Sequence, residues 1–159
     1  MSIEGSYIGG GWQVCNALVG PGDLTGDSKG DLLTRDASGV LYLYGGYGSG
    51  TAVALRIRVG GGWSAYNRIL GTSDFSGDGR ADLVARDRSG SLRLYKGTGS
   101  ATTSFAGRVK IGYGWGTYDK LVAPGDLSGD GKADLLAVNA AGDLYQYLGA
   151  GAKATLTPG

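Results

Sequence analysis

Histidine is absent from the chain. That removes the commonest general base, the usual partner of a nucleophile and the usual zinc ligand. The lone cysteine, Cys15, permits no intramolecular disulfide, which fits a cytosolic protein or an exported one stapled by something other than sulfur. No apolar run approaches the ~20 residues of a membrane span, and Met1-Ser2-Ile3-Glu4-Gly5 lacks the basic and apolar regions of a secretory signal. Charge of one sign is missing too. The 15 basic and 14 acidic residues leave a net charge of +1, so no global field points to a nucleic acid or a membrane as partner.

Glycine is abundant instead, with 33 residues in 159, roughly three times average usage. Only three prolines accompany them, and no strict triplet period appears, so collagen is excluded. Glycines spread among Val, Leu, Ile and Tyr pairs suggest many short strands joined by tight turns.

The strands recur. Trp12, Trp63 and Trp115 lie 51 and 52 residues apart, and Asp23, Asp74 and Asp126 keep the same two spacings. Three copies follow, at approximately 11–61, 62–113 and 114–159. The one-residue difference falls in a loop, Ser49-Gly50-Thr51-Ala52 against Ser100-Ala101-Thr102-Thr103, where an insertion is cheap. In each copy the first strand is Ala17–Gly20 or its equivalent, the second Asp31–Arg35, and the third the alternating Leu41-Tyr42-Leu43-Tyr44. Ala37-Ser38-Gly39 and its equivalents fit three-residue hairpin turns with glycine in the left-handed position. The fourth strand is Arg56–Val59 or Arg108–Ile111. The third copy reaches Gly159 without one, and the segment over 5–12 matches it. The expected fold is therefore all-β: a β-propeller of four-stranded antiparallel blades, three per chain. Strand 5–12 would complete the last blade of its own or a neighbouring chain. Propellers typically have four to eight blades, so closure by homo-oligomerisation is expected. A homodimer of six blades is favoured and a trimer of nine comes next.

Between the first two strands of each copy stands an Asp-rich loop. Asp23, Thr25, Asp27 and Asp31 in the first correspond to Asp74, Ser76, Asp78 and Asp82 in the second and to Asp126, Ser128, Asp130 and Asp134 in the third. Alternate oxygens in a tight turn converge on one point, which suits a hard cation with six to eight oxygen ligands. Position seven, Lys29, Arg80 or Lys132, would offer its backbone carbonyl. Nine of the 14 acidic residues lie in these loops, so three clustered carboxylates would repel one another without a cation. The alternative is that Asp, Gly and Ser gather because they form turns well; three loops with the same oxygen positions argue against it. Calcium, about three ions per chain, is expected over magnesium and over transition metals. Gly79 and Gly131 permit the sharp turn at position six, where the first loop has Ser28, so site one is expected to be weakest.

The loops Asp-x-[Ser/Thr]-Gly-Asp-x-[Lys/Arg]-x-Asp, each followed by Leu-[Leu/Val]-[Thr/Ala], resemble those of the FG-GAP/VCBS repeat family. The resemblance extends over nearly the whole chain, although literal Phe-Gly and Gly-Ala-Pro strings are missing. It implies a calcium-stabilised propeller, usually extracellular, that serves as a recognition module or as an appendage to a secreted enzyme.

Trp12, Trp63 and Trp115, with Tyr66 and Tyr118 three residues after two of them, have two readings. They pack between blades, or they line clefts on which a glycan stacks. Cys15 takes the place of Tyr66 and Tyr118 and reads as a small packed hydrophobe. Gly45-Gly46-Tyr47-Gly48-Ser49-Gly50 lacks the Gly-Lys-Ser/Thr and the helix of a phosphate loop. Arg56, Arg58, Arg108 and Lys110 alternate on the fourth strand, as a guard against edge pairing or, less favoured, as an anionic-ligand groove. The carboxylates outside the loops repeat or stand alone, so no enzyme is expected. The expected function is a structural or recognition scaffold, natural, excised or engineered, with a glycan-binding propeller as the alternative.

Overall fold

The computed structural model describes residues 4–49, 52–54, 56–149 and 155–159. The start at Met1–Ile3 and the site of the loop-length difference at Gly50 and Thr51 lie outside them. Among the described residues, eleven strands form three antiparallel sheets. The first holds β1 (Cys15–Gly22), β2 (Asp31–Asp36), β3 (Leu41–Tyr44) and β4 (Ile57–Gly60), hydrogen-bonded in chain order. The second repeats it with β5 (Tyr66–Ser73), β6 (Asp82–Asp87), β7 (Leu92–Tyr95) and β8 (Val109–Gly112). The third has β9 (Tyr118–Gly125), β10 (Asp134–Asn139) and β11 (Leu144–Tyr147). Each sheet is one meander, the form expected of a propeller blade.

The third strand of each blade falls where the alternation places it, while the first runs longer than the apolar pattern, from Cys15 to Gly22. Its outer residues carry little side-chain signal, and the ladder to Asp31–Asp36 extends it. The hairpin turns are as expected, with Gly39, Gly90 and Gly142 at φ of 80°, 85° and 88°. A feature not expected is a short 3-10 turn at each tryptophan: Trp12–Val14, Trp63–Ala65 and Trp115–Thr117. It aims the indole back over the blade just before the inner strand begins.

The third sheet departs from the four-stranded expectation, because it has three strands among the described residues. Residues 5–10 form no strand among the described residues, and Tyr7 is 83% exposed. Within this chain the segment over 5–12 does not complete the last blade. The sheets explain why: β5 packs against both β1 and β9, so the second blade separates the first from the third.

The core lies between blades rather than within them. Val19, Leu24, Leu33, Leu41 and Leu43 of the first blade meet Trp63, Tyr66, Ala81, Leu83 and Ala85 of the second. Phe75, Val84, Leu92 and Leu94 of the second meet Trp115, Tyr118, Leu121, Leu135 and Ala137 of the third. A four-stranded sheet cannot cover its own faces, so each blade depends on its neighbour. The inner strands approach closely. A Cβ on Gly71 would stand 2.3 Å from the carbonyl oxygen of Gly20, so only glycine fits there.

Candidate metal loops and inter-blade clefts

The first aspartate of each loop gathers the backbone amides that follow it. Asp23 Oδ1 accepts from the N–H of Gly26 at 2.7 Å and of Asp27 at 3.1 Å, and its Oδ2 accepts from Ser28 at 2.7 Å. Asp74 does the same for Gly77, Asp78 and Gly79, and Asp126 for Gly129 and Gly131. The amide of Gly131 leads the causes that hold the exposed Asp126 carboxyl below its usual value. Turning the chain this tightly needs a left-handed residue at position six. Gly79 and Gly131 supply it at φ of 85° and 88°, while Ser28 is held at 66°, the strained conformation its sequence position suggests.

The last aspartate is the buried one and opens the second strand of its blade. Asp31 Oδ2 accepts from Leu24 and Thr25, and its Oδ1 from Gly46. Asp82 joins Ser76 to Gly97, and Asp134 joins Leu127 and Ser128 to Gly149. This carboxylate therefore ties the loop to the connection after the third strand, a role the spacing alone does not reveal. Its environment differs between blades. Burial pushes the Asp82 carboxyl up against the amides of Gly97 and Ser76, and the charge of Asp78 adds to the rise. Burial acts on Asp134 too, but the amides of Gly149, Ser128 and Leu127 with Gln146 outweigh it and leave that carboxyl lowered.

The middle aspartate turns outward. Asp27, Asp78 and Asp130 each accept from the N–H of the position-seven residue, Lys29, Arg80 or Lys132. Asp78 also pairs with Lys96 at 3.2 Å and Asp27 with Lys29 at 3.7 Å. Burial would raise the Asp78 carboxyl, but Lys96 and the Arg80 amide hold it below its usual value. Position-three hydroxyls face the first aspartate in two loops, Thr25 to Asp23 at 3.4 Å and Ser128 to Asp126 at 3.3 Å. Among the described residues no three of the carboxylates are drawn onto one point in the manner of a metal cluster.

The second loop is where the fit to a cation can be judged on a buried oxygen. The Ser76 hydroxyl is buried beside the carboxyls of Asp78 and Asp82 and makes no well-formed hydrogen bond. It faces two carboxylates, and the charge of Asp78 raises that of Asp82. With oxygen the only donor type in the loop, these residues fit a hard divalent cation.

The aromatic positions diverge between blades. Trp63 and Tyr66 are buried, and the Tyr66 hydroxyl contacts that of Tyr95 at 2.5 Å and accepts from Arg108 Nη1 at 2.8 Å. Trp115 and Tyr118 are buried as well. There Trp115 Nε1 donates to the Leu156 carbonyl at 3.0 Å, and the Gly159 amide donates to Tyr118 and Tyr147. The chain thus fills its own cleft at the third blade, while a cavity of about 400 Å³ remains beside Trp63 at the second, lined by Tyr95, Phe105 and Arg108. Trp12 is only half-buried and stands 5.0 Å from Tyr44, centroid to centroid. With Cys15 where the others have tyrosine, a cavity of about 330 Å³ opens beside it, lined by Tyr42, Tyr44, Thr34, Asp36 and Arg56. The guanidinium of Arg56 sits 4.6 Å above the Tyr42 ring.

Two residues that a motif search does not single out join the blades. Arg35 on β2 donates from Nε to Asn16 Oδ1, and its Nη1 donates to the carbonyls of Trp63 at 2.9 Å and Tyr66 at 2.8 Å. Arg86 on β6 repeats this with Asn67, Trp115 and Tyr118. An arginine at the same place in two matching strands is the signal that could have found them.

No curated protein matches the chain. Residues 74–137, from the second Asp loop into β10, match the model of the FG-GAP-like repeat. That segment is similar to an FG-GAP-like repeat, and it lies on blade-like antiparallel sheets.

Proposed function

We propose that the chain is a non-catalytic, calcium-stabilised propeller module that closes its ring with a second copy and presents that ring as a structural or recognition scaffold. One comparison carries the assembly. Leu24 and Phe75 hold the same place in the first two blades and are each 1% exposed, whereas the equivalent Leu127 of the third is 55% exposed. Leu41 and Leu92 are fully buried, and their equivalent Leu144 is 63% exposed. The first pair lies under the next blade, so the last blade presents a face built to be covered by another of its kind. Burying a leucine side chain contributes about 1.5–3 kcal/mol. Two copies give six blades, within the usual range, and a nine-bladed trimer is the next choice. The segment over 5–12 would then complete the last blade of the neighbouring copy.

Calcium would be held by Asp23, Thr25, Asp27 and Asp31 and by their equivalents in the other loops, with the position-seven carbonyls. It would neutralise the clustered carboxylates. Extracellular sites of this class bind at ~10⁻⁴–10⁻³ M and fill only outside the cytosol, which supports an extracellular location. The test is thermal unfolding with and without EGTA, combined with light scattering. The expected result is a mass at a multiple of 16.2 kDa and a melting temperature that falls on chelation. An unchanged melting temperature would remove calcium from this account.

A second reading, a glycan bound at the first blade, is favoured by one observation. The Thr34 hydroxyl lines the open cleft at Trp12, and it is buried without a hydrogen-bond partner. The equivalent residues are Ala85 and Ala137. A sugar ring on Trp12 would supply that partner. A glycan array in calcium, with Trp12→Ala as control, tests it, and silence on every sugar ends it.

A further inference from the structure

We propose that the face of the third blade docks head to tail on the first blade of a second copy, through the contacts that join blades inside the chain. Val138 leaves that junction without the arginine that locks the other two. This rests on the ring reading above.

Each internal junction has the same two polar contacts. The hairpin-turn carbonyls of Gly39 and Gly90 each accept from the tryptophan N–H of the next blade, Trp63 and Trp115, at 2.9 Å. An arginine then donates to the carbonyl of that tryptophan and to that of the tyrosine just after its 3-10 turn. Both halves recur, unmatched, at the ends of the arc. The third turn is closed as the others are, Gly142 N–H to the Asn139 carbonyl at 3.1 Å, yet Gly142 is exposed where Gly39 and Gly90 are buried. At the other end, Gly11 at φ 85° sets the Trp12 turn as Gly62 at 83° sets that of Trp63. A second copy of this chain is therefore the occupant that matches the bare face, contact for contact.

The arginine is the exception. Val138 stands where Arg35 and Arg86 stand, and Asp119 stands where Asn16 and Asn67 receive their Nε. At the junction between copies the Trp12 and Cys15 carbonyls would meet no guanidinium. The ring would open there first on dilution, while the internal junctions hold.

The experiment follows the mass of the intact chain by light scattering over a dilution series in calcium. Val138→Arg with Asp119→Asn restores the missing clamp and is expected to hold the assembly to at least tenfold lower concentration. Leu127→Asp is expected to leave a monomer with an unchanged circular dichroism spectrum. Independently of any variant, the Trp12 amide should be protected from hydrogen exchange in the assembly and lose protection on dilution, while the Trp63 and Trp115 amides stay protected. An assembly with a freely exchanging Trp12 amide would overturn the docking face. A doubly substituted chain that folds and dissociates no later than the wild type would overturn the role of Val138. A wild type that is monomeric at every concentration would instead sink the ring reading itself.

Discussion

Replacing Arg86 by methionine should be among the most damaging single changes away from the aromatic core. Arg86 is 6% exposed, and its guanidinium makes three hydrogen bonds, at 2.9 Å to Asn67, 3.0 Å to the Trp115 carbonyl and 2.7 Å to the Tyr118 carbonyl. Hydrogen bonds to charged groups contribute about 1.5–3 kcal/mol each. Their sum overstates the effect, because burial followed by the nearby Arg68 works against the charge and lowers its proton affinity. Methionine fills part of the volume and leaves two carbonyls facing an apolar chain. Leaving a buried carbonyl without its donor costs about 1–3 kcal/mol, so the two together set an expected loss of about 4 kcal/mol. Arg35→Met, at the half-buried equivalent, should cost about 1–2 kcal/mol. With a urea dependence of about 2 kcal/mol per molar, the two midpoints should move by about 2 M and by less than about 1 M. Protein and calcium concentrations must be held constant, since assembly and metal shift apparent stability. A loss below about 1 kcal/mol for Arg86→Met, or equal losses at the two sites, would refute the clamp.

Ser28→Gly should stabilise the first loop by about 1 kcal/mol, the left-handed cost of serine less the added freedom of unfolded glycine. Gly79→Ser should reverse this in the second loop, and urea unfolding of both variants checks the pair. Asp87 gives a pH dependence. Burial would raise its carboxyl, but the Ser89 hydroxyl, the amides of Ser91 and Ser89, and Arg93 hold it below the ordinary 3.8. A lowered folded value means stability that is present above pH 3.8 and lost as pH falls through that lower value. Asp87→Asn should therefore make the acid limb of a stability–pH curve shallower. The third turn shows that an amide can close it, Asn139 Oδ1 accepting from Asp143 at 2.9 Å. A limb of unchanged slope would count against this assignment.

Much was legible in the chain alone because it is local. Tryptophan and aspartate spacing marks three copies, alternation in Leu41-Tyr42-Leu43-Tyr44 marks a strand, and Gly39 marks its turn. Each follows from the chemistry of a few adjacent residues. The Asp loops were legible as tight oxygen-rich turns. The work of their first and last carboxylates was not, because Asp31 reaches Gly46 fifteen residues away. Nor could the sequence separate the three tryptophans, which look alike until Arg108 lines one cleft, Gly159 closes another, and Cys15 stands in the third where the others have tyrosine. Equivalent residues share a propensity but not a neighbour. Leu24 and Leu127 differ in burial because one has a blade packed over it and the other has not, and only the tertiary structure decides which neighbour a repeated residue meets.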